Sequence, residues 1–317
     1  MNNKKIRQLS EEFILYKTTM GYMYETPKFY LKRYVNYVET VSPEAVFPEK
    51  SFTTKYLDSL TDAPGSLYGT VCVLREFSRY LFKRGYEKVY TIPPKSASQP
   101  TAEPPYFFTQ NEINRFFEKL DRIQTNSSFK GRELVVPAIF RLLYCCGLRC
   151  KEARTLECCN VHTDELYIDV LLSKGHKSRR IFISQQLAEY MDNYDSRIRM
   201  MFPNRKYFFP HGDGFYSGSM ISKNFKRFWK EAYPDFVITT RPRAYDLRHH
   251  FAWANLNRWA SEGIDVNVMA AYLMRYMGHQ TISDTLYYFH FVPEFFPTFQ
   301  GMTRQLEDVL PEVPYEE

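Results

Sequence analysis

Apolar residues in the first 92 positions recur at a helical spacing. Phe13, Ile14 and Tyr16 form one such group, and further groups run from Phe29 to Val38 and from Val73 to Leu81. A period of three to four residues places apolar side chains on one face of a helix. We therefore expect three or four helices joined by short turns in this part of the chain.

The pattern changes between Thr91 and Pro105, where the chain reads TIPPKSASQPTAEPP. Five prolines in this stretch favour an extended linker, because proline lacks the amide hydrogen that a helix needs. We predict a domain boundary here. The predicted parts are an N-terminal domain (1–92), a linker (93–105) and a C-terminal domain (106–317).

Helical patterns return after the linker. Thr109 and Glu112 have the spacing of a capping box, which predicts that a helix begins at this point. The apolar stretch from Val135 to Gly147 predicts a second helix, which Gly147 ends or interrupts. Further helical patterns cover residues 187–201, 219–232 and 247–259, and a last one reaches Val309.

Two short runs with strand-like composition flank a glycine-containing turn. They are Leu166–Leu172 and Arg180–Ile183, and the turn between them contains Lys174 and Gly175. This arrangement predicts a small β-hairpin with Lys174 at its tip. Together with the helical patterns, it indicates a mainly α fold with a small β-sheet.

Length and charge refine this interpretation. A chain of 317 residues is long enough for two domains with sizeable cores. Residues 1–105 hold 15 Lys and Arg against 11 Asp and Glu, residues 106–289 hold 26 against 19, and residues 290–317 hold 1 against 6. Two basic segments thus precede an acidic tail, and a basic body suits a polyanionic partner such as DNA.

Five of the six cysteines lie between Cys145 and Cys159. Beside an apolar helix, this crowding favours reduced and buried thiols over a disulfide framework. A zinc site that also uses His162 is the alternative, but the spacing lacks the CxxC pairs typical of such sites.

No apolar stretch reaches 18 residues, and the polar, basic N-terminus lacks the apolar core of a signal peptide. We therefore expect a protein of the cytoplasm, at the bacterial nucleoid, without a membrane partner.

Five residues supply the chemistry needed to cleave a phosphodiester without a metal. Arginine binds phosphate oxygens with a fixed positive charge, and a phenol serves both as nucleophile and as leaving group. A lysine in a turn can protonate the departing oxygen. These groups occur in the order Arg149, Lys174, Arg248, His279 and Tyr288.

The segments around these residues resemble four motifs of the tyrosine recombinase (phage integrase, Xer-like) family. They are LLYCCGLRCKEARTL at 142–156, SKGHKSR at 173–179, YDLRHHFA at 245–252, and MGH at 277–279 followed by Tyr288. Each motif alone is common by chance. Four motifs in the family's order identify the chain as similar to this family.

The resemblance implies a role for each matching residue. Arg149 and Arg248 would clamp the scissile phosphate, His279 would donate a further hydrogen bond to it, Lys174 would be the general acid, and Tyr288 would attack. Glu152 would support the site through a salt bridge one helical turn after Arg149. Lys177, Arg179 and Arg180 would contact the DNA backbone.

One position departs from the family's pattern. Tyr245 stands where the family usually has a histidine, and a phenol is a poor base at neutral pH. The general base is then His249, an ordered water or no dedicated group, and Tyr245 would hydrogen-bond the phosphate. Tyr287 adjoins the expected nucleophile, but helical geometry turns the two phenols about 100° apart, so that only one faces the phosphate.

The resemblance also implies an architecture. The N-terminal helices would form a SAM-like core-binding domain that closes a C-shaped clamp over DNA with the catalytic domain, although their pattern also fits an ordinary amphipathic bundle. Residues from about 290 to 317, apolar and then acidic, would be a tail for oligomerisation.

The implied function is site-specific DNA recombination through a 3′-phosphotyrosine intermediate, without a cofactor. The partners would be double-stranded recombination sites, a homotetramer across two sites, and accessory or directionality proteins. Integration, excision, transposition and replicon resolution all use this chemistry. The alternatives are a type IB-like topoisomerase and a catalytically inactive DNA-binding regulator.

Overall fold

The computed structural model describes residues 5–94, 97–99, 103–125, 130–171, 178–235 and 241–293. The chain divides into two compact units, Met1–Ala102 and Glu103–Glu317. This division falls inside the proline-rich stretch.

Within its described residues, the first unit is built from four helices around an aromatic core. Their apolar faces bury Phe13, Leu31, Tyr34 and Phe77, each at most 1% exposed. The Tyr34 hydroxyl and Thr53 Oγ1 share a hydrogen bond of 2.6 Å inside this core. The helices are α1 (Ile6–Thr19), α2 (Glu25–Val41), α3 (Lys50–Asp58) and α4 (Pro64–Phe82).

The second unit is mainly helical. Its helices are α5 (Gln110–Asp121), α6 (Arg132–Cys146), α7 (Cys150–Arg154), α8 (Gln185–Met201), α9 (Gly218–Ala232), α10 (Asp246–Ser261), α11 (Val266–Met277) and α12 (Ser283–Leu286), with 3-10 helices at Cys158–Asn160 and Tyr287–Phe291. We call Tyr287–Phe291 the tyrosine turn. Helix α6 is apolar on nearly every face, so it lies at the centre, packed against α5, α8 and α10.

Two features of the second unit were predicted from local sequence. The Thr109 side chain accepts a hydrogen bond from the Glu112 amide, and the Glu112 carboxylate accepts one from the Thr109 amide, which confirms the capping box. Gly147 ends α6 in the left-handed conformation, with a φ of 58°. Its lack of a side chain permits this backbone.

The predicted hairpin is present. Strands β1 (Val161–His162), β2 (Tyr167–Val170) and β3 (Arg179–Phe182) form an antiparallel sheet in that order, and Ile168 pairs with Ile181. Lys174 and Lys177 lie outside the described residues. A second sheet, of β4 (Pro210–His211) and β5 (Gly214–Phe215), was not predicted. The mainly α fold with small sheets is confirmed.

The prediction for the cysteines was partly wrong. Cys146 is buried, but Cys145 and Cys159 are exposed. Among the residues that the structure describes, no group of three or more His, Cys, Asp and Glu side chains is placed to hold a metal ion. None of the described helices is both long and apolar enough to cross a membrane.

Candidate active site

Arg149 is the residue before α7, and hydrogen bonds to Glu152 and to Gly278 hold it in place. Its Nη1 donates to Glu152 Oε1 at 2.7 Å, and its own amide donates to Glu152 Oε2 at 2.9 Å. Its Nη2 donates to the Gly278 carbonyl at 2.6 Å. The expected ion pair with Glu152 is therefore present, and it fixes the direction of the guanidinium.

Glu152 also binds a second arginine. Arg179, at the start of β3, donates to both oxygens of the carboxylate at 3.0 and 2.9 Å, and its Nε donates to the Tyr276 carbonyl at 2.7 Å. The Glu152 side chain is 5% exposed and that of Arg179 is 11% exposed. Arg179 thus lies in a buried ion network, and its predicted contact with the DNA backbone stays a prediction.

Arg180, the next residue, points in the opposite direction because side chains alternate along a strand. Its guanidinium makes two hydrogen bonds of 2.9 Å to Asp169 and lies 3.7 Å from the centre of the Tyr167 ring. The Arg180 side chain is half exposed. Arg180 is therefore on the surface, away from the ion network of Arg179.

Arg248 is buried in the first turn of α10, with only 2% of its surface exposed. It donates to the Gly147 carbonyl at 2.5 Å and to the Met277 carbonyl at 2.7 Å. It therefore joins the C-terminal ends of α6 and α11. Burial, and then the nearby Arg149 cation, lower the pKa of Arg248, yet a guanidinium stays charged at any physiological pH.

His279 follows the glycine that ends α11. Its Nδ1 shares a hydrogen bond of 2.7 Å with Thr285 Oγ1, a fully buried hydroxyl. Burial and the nearby Arg248 lower the pKa of His279 to about 4, so the ring is neutral at pH 7. Because Nδ1 makes this hydrogen bond, Nε2 is the ring nitrogen that can bind a ligand. Sequence reasoning missed Thr285, although its position six residues after the histidine motif was available.

Tyr288 and Tyr287 differ sharply in environment. Tyr288 is 3% exposed and belongs to a small apolar cluster with Leu256, Leu273 and other residues of α10 and α11, whereas Tyr287 is 43% exposed. The Tyr288 hydroxyl lies 2.7 Å from His249 Nδ1. Burial raises the pKa of Tyr288 well above its usual value, and the Arg248 cation partly offsets this rise.

One cleft of about 560 Å³ brings these groups together. Tyr245 lines it from the residue before α10 and is 43% exposed, with its ring 4.9 Å from that of His249. The residues that line the cleft are Arg149, Tyr245, Arg248, His249, His279, Gln280, Ser283, Asp284, Tyr287 and Tyr288. Five of the six expected catalytic residues thus lie within the described part of the chain and share one cleft, and Lys174 lies outside that part.

A helical catalytic unit with two arginines, a histidine and a tyrosine around one cleft defines a tyrosine recombinase, the class of enzyme that breaks and rejoins DNA strands. The sequence profile of the Phage integrase family matches residues 106–294. Since this match covers more than half of the chain, the protein belongs to the phage integrase family.

Individual relatives agree with this assignment. The y4rE integrase/recombinase of Sinorhizobium fredii is 25% identical over 294 residues, which cover 88% of this chain and 89% of the relative. The tyrosine recombinase XerD of Lacticaseibacillus casei is 28% identical over 235 residues, which cover 73% of each chain. Neither alignment is confined to the catalytic motifs.

Solved structures share the fold. The XerH site-specific recombinase bound to its palindromic difH substrate matches with a TM-score of 0.59 and 16% identity, over 89% of this chain and 79% of that one. The Tn1549 transposon integrase in complex with transposon right end DNA matches with a TM-score of 0.59 and 14% identity, over 95% and 99% of the two chains. At this identity, the likeness extends to the fold alone.

Proposed function

We propose that this chain is a site-specific DNA recombinase in which Tyr288 attacks the scissile phosphate and forms a 3′-phosphotyrosine intermediate. The observation that carries the proposal is the single cleft lined by Arg149, Arg248, His279 and Tyr288. These residues come from four separate parts of the chain. A purely structural role gives no reason for two arginines, a histidine and a tyrosine to meet at one cleft.

The two arginines would bind the nonbridging oxygens of the phosphate. Negative charge grows on these oxygens as the tyrosine attacks, and preorganised cationic donors stabilise it most effectively in a cleft that excludes water. Carbonyl contacts fix both guanidinium groups before DNA arrives. Arg149 and Arg248 therefore need little reorganisation at the moment of reaction.

His279 and Lys174 would complete the reaction. Neutral His279 has its Nδ1 on Thr285, so its Nε2 would hydrogen-bond a phosphate oxygen. Lys174, which lies between β2 and β3 in the sequence, would protonate the 5′ oxygen as it leaves. Tyr245 would hydrogen-bond the phosphate from the exposed edge of the cleft, and Lys177 and Arg180 would contact the DNA backbone beside the hairpin.

We further propose that residues 1–92 form a core-binding domain and that residues 106–317 form the catalytic domain. The basic charge of both segments suits a DNA duplex. A homotetramer on two DNA sites would exchange the strands, with the tail from about residue 290 contacting a neighbouring subunit. Accessory proteins would set the direction of recombination. The reaction would take place at the nucleoid of the bacterium that carries the mobile element.

Trapping of the covalent intermediate tests the proposed function. Nicked duplexes that tile the DNA on both sides of the gene release a short 5′-hydroxyl strand after cleavage, so rejoining fails and the protein–DNA adduct accumulates. We expect wild-type protein to form an adduct that survives denaturing electrophoresis, and we expect Tyr288→Phe to form none, because it lacks the nucleophilic oxygen.

Tyr287→Phe is the matched control. It removes the neighbouring, exposed hydroxyl, so we expect its adduct to form at a rate within a few-fold of wild type. Adduct formation by Tyr288→Phe, together with its loss in Tyr287→Phe, would assign the nucleophile to Tyr287. The absence of any adduct with folded wild-type protein on every duplex would favour the inactive DNA-binding regulator.

A further inference from the structure

His249 makes the only hydrogen bond that the structure records for the Tyr288 hydroxyl within the described residues. The two atoms, His249 Nδ1 and Tyr288 Oη, are 2.7 Å apart. His249 lies one position after Arg248 on α10, and Tyr288 lies on the tyrosine turn, which packs against the same helix. A base within hydrogen-bond reach of the proton that it removes meets the first geometric requirement for general base catalysis.

Tyr245 is less suited to the same task. It occupies the position of the family's usual histidine, but a phenol is a much poorer proton acceptor than an imidazole. The Tyr245 ring meets His249 edge-on, at 4.9 Å between ring centres and 76° between planes. Tyr245 therefore packs against His249, and His249 contacts the attacking oxygen.

We propose that His249 is a catalytic residue, the general base that removes the proton of Tyr288 through Nδ1. This inference rests on the proposed function. During attack the Tyr288 O–H bond breaks, the proton moves to Nδ1, and the bond from Oη to phosphorus forms. The bond from phosphorus to the 5′ oxygen breaks, and the proposed general acid Lys174 protonates that oxygen. In rejoining, the 5′ hydroxyl gives its proton to Lys174 and attacks phosphorus, the bond from phosphorus to Oη breaks, and Nδ1 returns its proton to Oη of Tyr288.

The electrostatic setting of His249 suits proton acceptance. Burial lowers its pKa to about 4, so the ring is neutral at pH 7 and one nitrogen is available as an acceptor. Cations lower the pKa further, and a DNA phosphate bound in the same cleft would counter them, because a nearby anion favours the protonated ring. Substrate binding would thus raise the pKa of His249 towards the pH at which the enzyme works. The charged and titratable groups that face it are Arg243, Tyr245, Asp246, Arg248 and Tyr288.

A measurement without DNA tests the hydrogen bond. Long-range ¹H–¹⁵N NMR on the full chain distinguishes protonated from unprotonated ring nitrogens, and the signals of His249 are those that disappear in His249→Phe. We expect Nδ1 to be unprotonated and Nε2 to carry the hydrogen at neutral pH. A hydrogen on Nδ1 would make His249 a donor to Tyr288, and this would overturn the proposal.

A kinetic measurement tests the proton transfer. Single-turnover cleavage is followed on a nicked duplex with a 5′-bridging phosphorothiolate at the scissile position, since a thiolate leaves without protonation and Lys174 is no longer needed. We expect His249→Phe to slow cleavage by about 10²- to 10⁴-fold, the usual range for loss of a general base. The wild-type cleavage rate should fall at acid pH, because protonated His249 cannot accept a proton. We expect His249→Phe to show no such fall.

His250→Gln is the matched control for the neighbouring ring. Burial also lowers the pKa of His250 to about 4, but its Nδ1 accepts a hydrogen bond from the Phe108 amide, away from the cleft. We expect this variant to keep the wild-type cleavage rate per folded molecule. Cleavage by His249→Phe at the wild-type rate would overturn the inference alone, whereas no adduct with wild type would overturn the proposed function with it.

Discussion

At the scale of single residues, the site depends on one carboxylate between two cations. Glu152 binds the guanidinium groups of Arg149 and Arg179, and all three side chains are largely buried. Arg149 faces the cleft, whereas Arg179 ties the carboxylate to β3 and to the end of α11. Glu152 therefore couples the position of Arg149, a proposed catalytic residue, to strand β3, which follows Lys174 in the sequence.

Glu152→Gln tests this coupling. The amide removes the negative charge that pairs with both Arg149 and Arg179, so we expect a loss of about 3 kcal/mol in the free energy of unfolding, the usual cost of breaking a buried ion pair. We also expect cleavage to slow by more than tenfold. Urea denaturation and single-turnover cleavage measure the two effects.

Asp169→Asn is the control for loss of an arginine–carboxylate pair. Its partner Arg180 is half exposed, and a pair of this kind contributes at most about 1 kcal/mol. Equal destabilisation by the Glu152 and Asp169 variants would contradict the buried role assigned to Glu152.

Tyr245 permits a second prediction at this scale. The residue is exposed at the cleft's edge and its side chain meets His249 ring to ring, so Tyr245→His introduces the family's usual side chain without filling new space. We expect this variant to cleave nicked duplexes at a rate within tenfold of wild type. Complete loss of cleavage with retained folding would show that the phenol has a specific role.

At the scale of elements, the site lies where helices end. Gly147 ends α6 and Gly278 ends α11, both with positive φ, and the carbonyls at these ends receive Arg149 and Arg248. Helix ends leave carbonyl groups without partners inside the helix. The two arginines satisfy such groups, so the ends of α6 and α11 hold the two proposed phosphate-binding residues in place.

Gly147→Ala tests the importance of the α6 terminus. Gly147 has a φ of 58°, and a Cβ added to it would lie 2.4 Å from Phe251 Cδ1. Gly212 has a similar φ of 57°, but a Cβ there meets no atom within 4 Å. Both alanine variants share the backbone strain, so we expect Gly147→Ala to cost about 1–3 kcal/mol more in unfolding free energy, the usual range for overpacking. Equal melting temperatures of the two variants would contradict the close packing.

Local patterns predicted the elements better than the contacts between them. A glycine-containing turn between two runs of strand-like composition predicted the β2–β3 hairpin, and the Thr109–Glu112 spacing predicted the start of α5. Helix α11 was missed, although Asp265 caps its first turn and Gly278 ends it. The pairs Glu152–Arg179 and His249–Tyr288 lie 27 and 39 residues apart. Nothing local specifies such contacts, because they depend on how whole elements pack.

At the scale of the whole molecule, the proposed nucleophile Tyr288 belongs to a small hydrophobic cluster of its own. Each unit has a separate hydrophobic core, and Tyr288 lies in a third cluster built from α10, α11 and the chain around the tyrosine turn. This cluster is much smaller than the main core of the second unit. Movement of the tyrosine turn would therefore disturb little of the main core, which suits a residue that must leave its buried position to reach DNA.

The central claim is that Tyr288 becomes covalently joined to a 3′ phosphate of DNA. The most direct measurement is mass spectrometry of the adduct trapped on a nicked duplex, after digestion with a protease and a nuclease. We predict one peptide that contains the tyrosine turn and carries a nucleotide phosphate on residue 288. A nucleotide on Tyr287, on Tyr245 or on any residue other than Tyr288 would contradict the account.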